Sequence, residues 1–306
     1  MNAVTTHGLT KRYGATTVVD GLDLAVPEGC VYGFLGPNGS GKTTTMKMML
    51  SLVRPSAGEA RIFDQPITQK TRKQALRHVG SLIESPAAYG HLTGRENMRI
   101  VQRLVGADDD TIRRAVDAVR MSDQMSKLVR EYSLGMKQRL GIAMALARDP
   151  RVLVLDEPTN GLDPAGIEEI RDLLVGLARN EGRTVIVSSH LLSEIEKMAQ
   201  VLGILHRGQL LFQGTMTDLF QAQLPDIVIR TPEPDRAAHV TQRLAPVRVD
   251  GGIRLAGLDE PGVASVIAQL AAERVPIWEA TRQQRSLEDI FIGLTGRDGL
   301  RQEATA

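Results

Sequence analysis

The sequence predicts an α/β chain of two domains. Short β-rich runs alternate with longer helical stretches as far as residue 221. Several of the runs are continuously apolar, as strands covered on both faces should be. Near residues 222–227 the pattern ends in LFQAQLPDIVIR and restarts on a smaller scale. At 306 residues the chain is about twice a typical ~150-residue domain, long enough for a large core and a smaller appended one.

Taken in order, the strand candidates of the first part are VVDGLDLAVPEG, CVYGFLG, HVGSLIES, RVLVLDEP, TVIVSSH and VLGILHRG. Residues 91–149 have a different texture. There HLTGRENMRIVQRLVG, DDTIRRAVDAVRM and GMKQRLGIAMALARD place apolar residues three and four apart, the period of a half-buried helix. A helical layer is therefore expected between two groups of strands. Beyond residue 222, DIVIRT, PVRVDG, GIRLAG and PIWEATR read as strands, with DRAAHVTQRL and GVASVIAQLAAERV as helices and SLEDIFIGL as a last helix. The order βαββαβ is that of a ferredoxin-like α+β unit, with Trp278 expected in its core.

Composition excludes several classes. Hydrophobic residues at 42% and charged residues at 24% are globular values, not those of a disordered or collagenous chain. Aromatics are only 3%, so aliphatic residues and methionine must fill the core. A net charge of +1 argues against nucleic acid as a partner, which calls for a clustered basic excess. Cys30 is the single cysteine and has no disulfide partner, and MNAVTTHG lacks the charged-then-apolar order of a signal peptide. A cytoplasmic location is expected. No run approaches ~18 apolar residues, so membrane contact would come through another protein.

The most specific motif is Gly36-Pro37-Asn38-Gly39-Ser40-Gly41-Lys42-Thr43-Thr44, a complete G-x-x-x-x-G-K-[ST] between an apolar strand and the helix KTTTMKMMLSL. Its glycines let backbone N–H groups wrap an anion, and the helix N-terminus adds its positive end. Lys42 supplies a cation for β- and γ-phosphates, and the Thr43 hydroxyl suits Mg²⁺. Later, RVLVLDEP ends an apolar strand in two carboxylates. Asp156 suits metal organisation, and Glu157, on the other face, suits orienting or deprotonating water. His190 closes TVIVSSH, where it could sense a γ-phosphate.

With these residues in place, the chain from 1 to about 221 resembles the ATP-binding subunit of an ABC transporter. The resemblance implies that Tyr13, in KRYG, stacks on adenine and that Asn160-Gly-Leu-Asp163 is the D-loop, with His190 the switch histidine. Tyr132-Ser133-Leu-Gly135-Met-Lys-Gln-Arg139 resembles the signature that names the family, with Leu134 and Met136 departing from its common glycine and glutamine. Ser133 and Gly135 open a helix and would present a hydroxyl, an N–H and a dipole to the ATP of a facing subunit. Glu84, in SLIESP, stands where the family usually has glutamine; it keeps an oxygen for the metal and loses the amide donor. SLIESPAAYGHLTGRENM, SLGMKQRLGIA and SLEDIFIGLTG resemble the bacitracin- or lantibiotic-exporter branch.

The resemblance implies a P-loop NTPase domain over 1–221, with an inserted helical subdomain at about 91–149 and a small accessory domain over 222–306. It implies ATP and Mg²⁺ as ligands and a head-to-tail homodimer. A transmembrane permease would be the second partner, holding the subunit at the inner face of the membrane. Chromosome-maintenance ATPases, which separate P-loop and signature by long coiled coils, and tandem-cassette factors, which carry two P-loops, do not fit. A ligand-binding regulatory role for 222–306 is the alternative reading of the second domain.

Overall fold

A computed structural model describes residues 1–296 apart from Ser85, His190 and Gln223. The switch role expected of His190 thus lies outside the described residues. The chain forms two compact units, one built on Met1–Met216 and the other on Thr217–Leu294.

The first unit begins with β1 (Asn2–Tyr13), β2 (Thr16–Leu22), β3 (Ala25–Pro27), β4 (Val31–Leu35), α1 (Lys42–Met49), β5 (Ala57–Ile62) and β6 (Gln65–Pro66). A short α2 (Arg72–Ala75) and β7 (Val79–Leu82) precede three helices, α3 (Gly94–Val105), α4 (Asp109–Ala118) and α5 (Leu134–Leu146). Then come β8 (Val152–Leu155), α6 (Pro164–Glu181), β9 (Thr184–Ser189), α7 (Leu192–Met198), β10 (Val201–His206) and β11 (Gln209–Thr215), after which α8 (Met216–Gln221) opens the second unit.

Two sheets result. One is antiparallel, β2-β1-β5-β6, with β3 also on β1. The other runs β11-β10-β4-β9-β8-β7, parallel except at its β11 edge. Strands β4, β8 and β9 are buried at every residue, which explains their uninterrupted apolar runs. Their parallel register brings the C-terminal ends Leu35, Leu155 and Ser189 to one edge, the place where open α/β sheets bind ligands.

One core cluster joins Leu9 and Ile62 of the antiparallel sheet to Tyr32 and Phe34 of β4 and to Met46, Met48 and Met49 of α1. Unbranched methionines fill the irregular space that a nearly aromatic-free chain cannot fill with rings. Truncating such a side chain to alanine costs about 2–5 kcal/mol. Strands β1, β5 and β11 and helix α6 go unmarked in the sequence reading. β1 is irregular: Ala3, Val4, Thr6, Leu9 and Thr10 are buried and His7 and Arg12 are exposed, with Gly8 at φ 55 interrupting the pattern.

The second unit runs β12 (Asp226–Arg230), α9 (Pro234–Val240), β13 (Val247–Val249), β14 (Gly252–Leu255), α10 (Glu260–Ala272), β15 (Glu279–Gln283) and α11 (Leu287–Thr295). Its antiparallel sheet has the order β13-β14-β12-β15. Ile227 and Ile229 of β12, Ile253 and Leu255 of β14, and Val266 and Leu270 of α10 make its core. Trp278 is not part of it. At 70% exposure it stands just before β15, an edge strand open along its whole length, so no layer covers the ring.

Candidate nucleotide-binding site

Strand β4 delivers the chain into the turn Gly36–Gly41 at the sheet edge. The glycine at 36 is obligatory, because a Cβ there would stand 2.4 Å from both Leu205 O and Ser40 Oγ. Gly41 has φ 106, a left-handed conformation, and a Cβ on it would meet Val18 O at 2.8 Å. Pro37 is buried, while Asn38 and Gly39 form the exposed crest. Ser40 is buried, and its Oγ has no hydrogen-bond partner among the described residues.

Helix α1 starts on Gly41 with no side-chain cap. Helices α3, α4, α5, α6 and α10 are instead capped by Thr93, Asp108, Ser133, Asp163 and Asp259. No side chain caps this helix start, and an anion is a natural acceptor for the N–H groups of a first turn. Lys42 is buried and its Nζ donates to Gly36 O at 2.6 Å and Pro37 O at 3.3 Å, folding the cation over its own loop. Thr44 follows Thr43 in the first turn, half-buried.

The strand-end carboxylates arrive beside that turn. Thr43 Oγ1 donates to Asp156 Oδ2 at 2.7 Å, and Ser188 Oγ, from β9, donates to Asp156 Oδ1 at 2.6 Å. The same Ser188 Oγ accepts from Glu157 N–H at 2.9 Å. Ser188 thus fixes both acidic residues, a role the sequence reading missed. The signal was present, since Ser188 is one of two polar residues that close the apolar run TVIVSS. Glu157 has φ 47, a left-handed conformation that is costly for a side chain of its size and that hydrogen bond helps hold. Asp156 is 6% exposed, so its carboxylate sits dry against two hydroxyls.

The donor set suits a hard divalent cation. A hydroxyl and a carboxylate oxygen converge at Thr43 and Asp156, and among the described residues no group of three or more His, Cys, Asp or Glu gathers anywhere. Mg²⁺ fits such a sparse site because it keeps its waters and takes phosphate oxygens alongside one or two protein ligands.

Glu84 is placed differently from Asp156. Its Oε1 bonds Lys47 Nζ at 2.5 Å, its side chain is 66% exposed, and its backbone is left-handed at φ 63. The Lys47 ammonium is held above its ordinary pKa range, chiefly by this hydrogen bond. Tyr13, at the end of β1, is half-exposed with Lys11 Nζ 4.7 Å from its ring centroid, leaving a ring face for a flat partner.

Ser133 and Gly135 lie apart from the loop, at the start of α5. Ser133 is exposed and its Oγ accepts from Met136 N–H at 3.2 Å. This segment packs on residues 160–163: a Cβ on Gly161 would stand 2.9 Å from Leu134 Cδ2, and one on Gly135 3.8 Å from Leu162 Cδ2. Together they line a hollow of about 640 Å³. Leu134 therefore trades a backbone approach for contact with the neighbouring motif.

Comparison with known proteins bears on this arrangement. Residues 19–160 match the ABC transporter family. The chain is 39% identical to the bacitracin transport ATP-binding protein of Enterococcus faecalis, over 97% of each chain. It is 40% identical to the lantibiotic transport ATP-binding protein of Streptococcus pyogenes, over 68% of this chain and 88% of that one. Among solved structures, an ATP-binding subunit of an ABC transporter superposes with a TM-score of 0.65 at 26% identity, covering 72% of this chain and 92% of that one. No described helix is long and apolar enough to cross a membrane. Resemblance of this extent, on a sheet edge already shaped for phosphate, means that the chain belongs to the ATP-binding subunits of ABC transporters, the ATP-hydrolysing transport ATPases.

Proposed function

We propose that the chain powers export of an antibiotic, peptide or other amphipathic compound through a separately encoded permease. The observation that carries this is the similarity to the bacitracin transport protein of Enterococcus faecalis, which runs through both units and not through the ATPase alone. Transport ATP-binding proteins of that kind work beside a membrane partner, which would hold this subunit at the cytoplasmic face of the membrane.

In this reading Gly36–Thr44 and Lys42 bind the ATP phosphates, Tyr13 takes the adenine, and Thr43 with Asp156 holds Mg²⁺. The metal, when bound, would draw charge from the phosphates. Glu157, held by Ser188 through its backbone, acts as general base on water, and His190 serves as the switch residue. Glu84 serves as an additional metal-side carboxylate. Ser133 and Gly135, away from the loop of their own chain, contact the ATP of a second copy in a head-to-tail dimer.

The domains are taken as 1–221, with an inserted helical subdomain at about 91–149, and a ferredoxin-like accessory domain over 222–306. The order of strands and helices and the sheet order β13-β14-β12-β15 support the latter.

Co-expression with a membrane permease that co-purifies with the chain tests the proposal. Resistance to bacitracin or a lantibiotic should rise with the pair and fall to the background level with Lys42→Ala. Unchanged sensitivity to the whole class, with a functional ATPase, would overturn export of such compounds.

A further inference from the structure

The ion pair between Lys47 and Glu84 is the feature of this region that the ATPase chemistry leaves unassigned. Lys47 lies one helical turn beyond Thr43 on α1, so the two side chains share a face. On that face each meets a carboxylate: Thr43 the Oδ2 of Asp156 at 2.7 Å, Lys47 the Oε1 of Glu84 at 2.5 Å. Two acidic residues from separate segments thus meet one face of a helix whose start carries no side-chain cap and favours an anion. Like charges so arranged repel one another and repel a polyphosphate.

We propose that Lys47 is a positioning residue that binds and neutralises Glu84, allowing the site to accept the negative charge of ATP before any metal arrives. The inference deepens the nucleotide-site reading and rests on it. Three observations converge on it. The pair is direct, and among the described residues neither has another salt-bridge partner. Lys47 is partly sheltered, with 29% of its side chain exposed, so it is a fixed counter-charge and not a waving surface lysine. Glu84 holds a left-handed backbone at φ 63, a conformation that needs a tertiary anchor, which Lys47 provides. The field of Asp156 also acts on Lys47, so the ammonium serves both carboxylates.

A double-mutant cycle on ATP affinity, measured by calorimetry in excess EDTA, tests this directly. Lys47→Met keeps the length of the side chain and removes its charge; it should weaken metal-free ATP binding about threefold to fivefold, the scale of a partly exposed ion pair. Lys47→Arg should bind like the parent. In a Glu84→Gln background, where no carboxylate is left to neutralise, Lys47→Met should change affinity by less than about twofold. An equal loss in both backgrounds overturns the proposal, because Lys47 would then act on ATP itself or through packing. A Lys47→Met chain that binds as tightly as the parent overturns it as well. Failure of the parent to bind ATP, with its melting curve intact, would instead remove the nucleotide-site reading on which the inference stands.

Discussion

Thr43 and Asp156, far apart in the sequence, are joined by a 2.7 Å hydrogen bond at the edge of the parallel sheet. The bond places a hydroxyl and a carboxylate where a metal–phosphate complex would lie. Replacing Thr43 by Val removes the hydroxyl at almost constant shape. The gain in ATP affinity on adding Mg²⁺ should shrink by about tenfold, the effect of a lost polar contact to a metal. Metal-free affinity should move by less than about twofold, because the uncapped start of α1 is unchanged. Calorimetric titrations with Mg²⁺ and with EDTA make the comparison, and equal losses in both would take Thr43 away from the metal.

Glu157→Gln should leave ATP binding near the parental value and lower turnover by about a hundredfold or more, since an amide cannot take a proton from water. The ATP-bound dimer should then accumulate, visible as a doubled mass by light scattering. Hydrolysis near the parental rate would move the base elsewhere, with His190 the next residue to test.

Ser133→Arg examines whether the α5 start serves a second copy. The exposed hydroxyl lies apart from the P-loop of its own chain, so ATP affinity of the isolated variant should change by less than about twofold. Its ATPase activity should be lost, and mixing it with Lys42→Ala should restore one composite site and part of the rate. A large drop in monomer affinity would mean that Ser133 acts within its own chain.

Cys30 gives a pH signature. Burial raises its thiol from 9.0 to about 11 while its Sγ–H donates to Pro27 O at 3.3 Å. Between those values the unfolded chain sheds the proton and the folded chain keeps it. The folded state then binds more protons, so stability falls as pH rises from 9 toward 11. Cys30→Ala should flatten the first part of that decline and leave the part due to Tyr32, whose hydroxyl burial also pushes upward from 10.0. Urea midpoints at pH 8, 9.5 and 10.5 read the difference; identical slopes for parent and variant between 8 and 9.5 would count against a protected thiol.

The nucleotide loop was legible in the sequence because its chemistry is local. A backbone that wraps phosphates calls for glycine at 36, 39 and 41 and a cation at 42 within one short segment, although the close approach of Leu205 O to Gly36 and of Val18 O to Gly41 is tertiary. The apolar runs of β4, β8 and β9 were legible for a similar reason, since burial on both faces favours apolar residues along most of each strand. Elements with one open face were not: β1 and β5 acquire their pattern only from the sheet they join. The same holds for Trp278, an apolar residue that the sequence sends inward and the edge position of β15 leaves outside. Ser188 joining Asp156 to Glu157, Leu134 resting on Gly161 and Lys47 binding Glu84 depend on strand order, register and the angle of a helix on a sheet. Contacts across such distances are set by the packing of the whole unit, and no spacing along the chain encodes them.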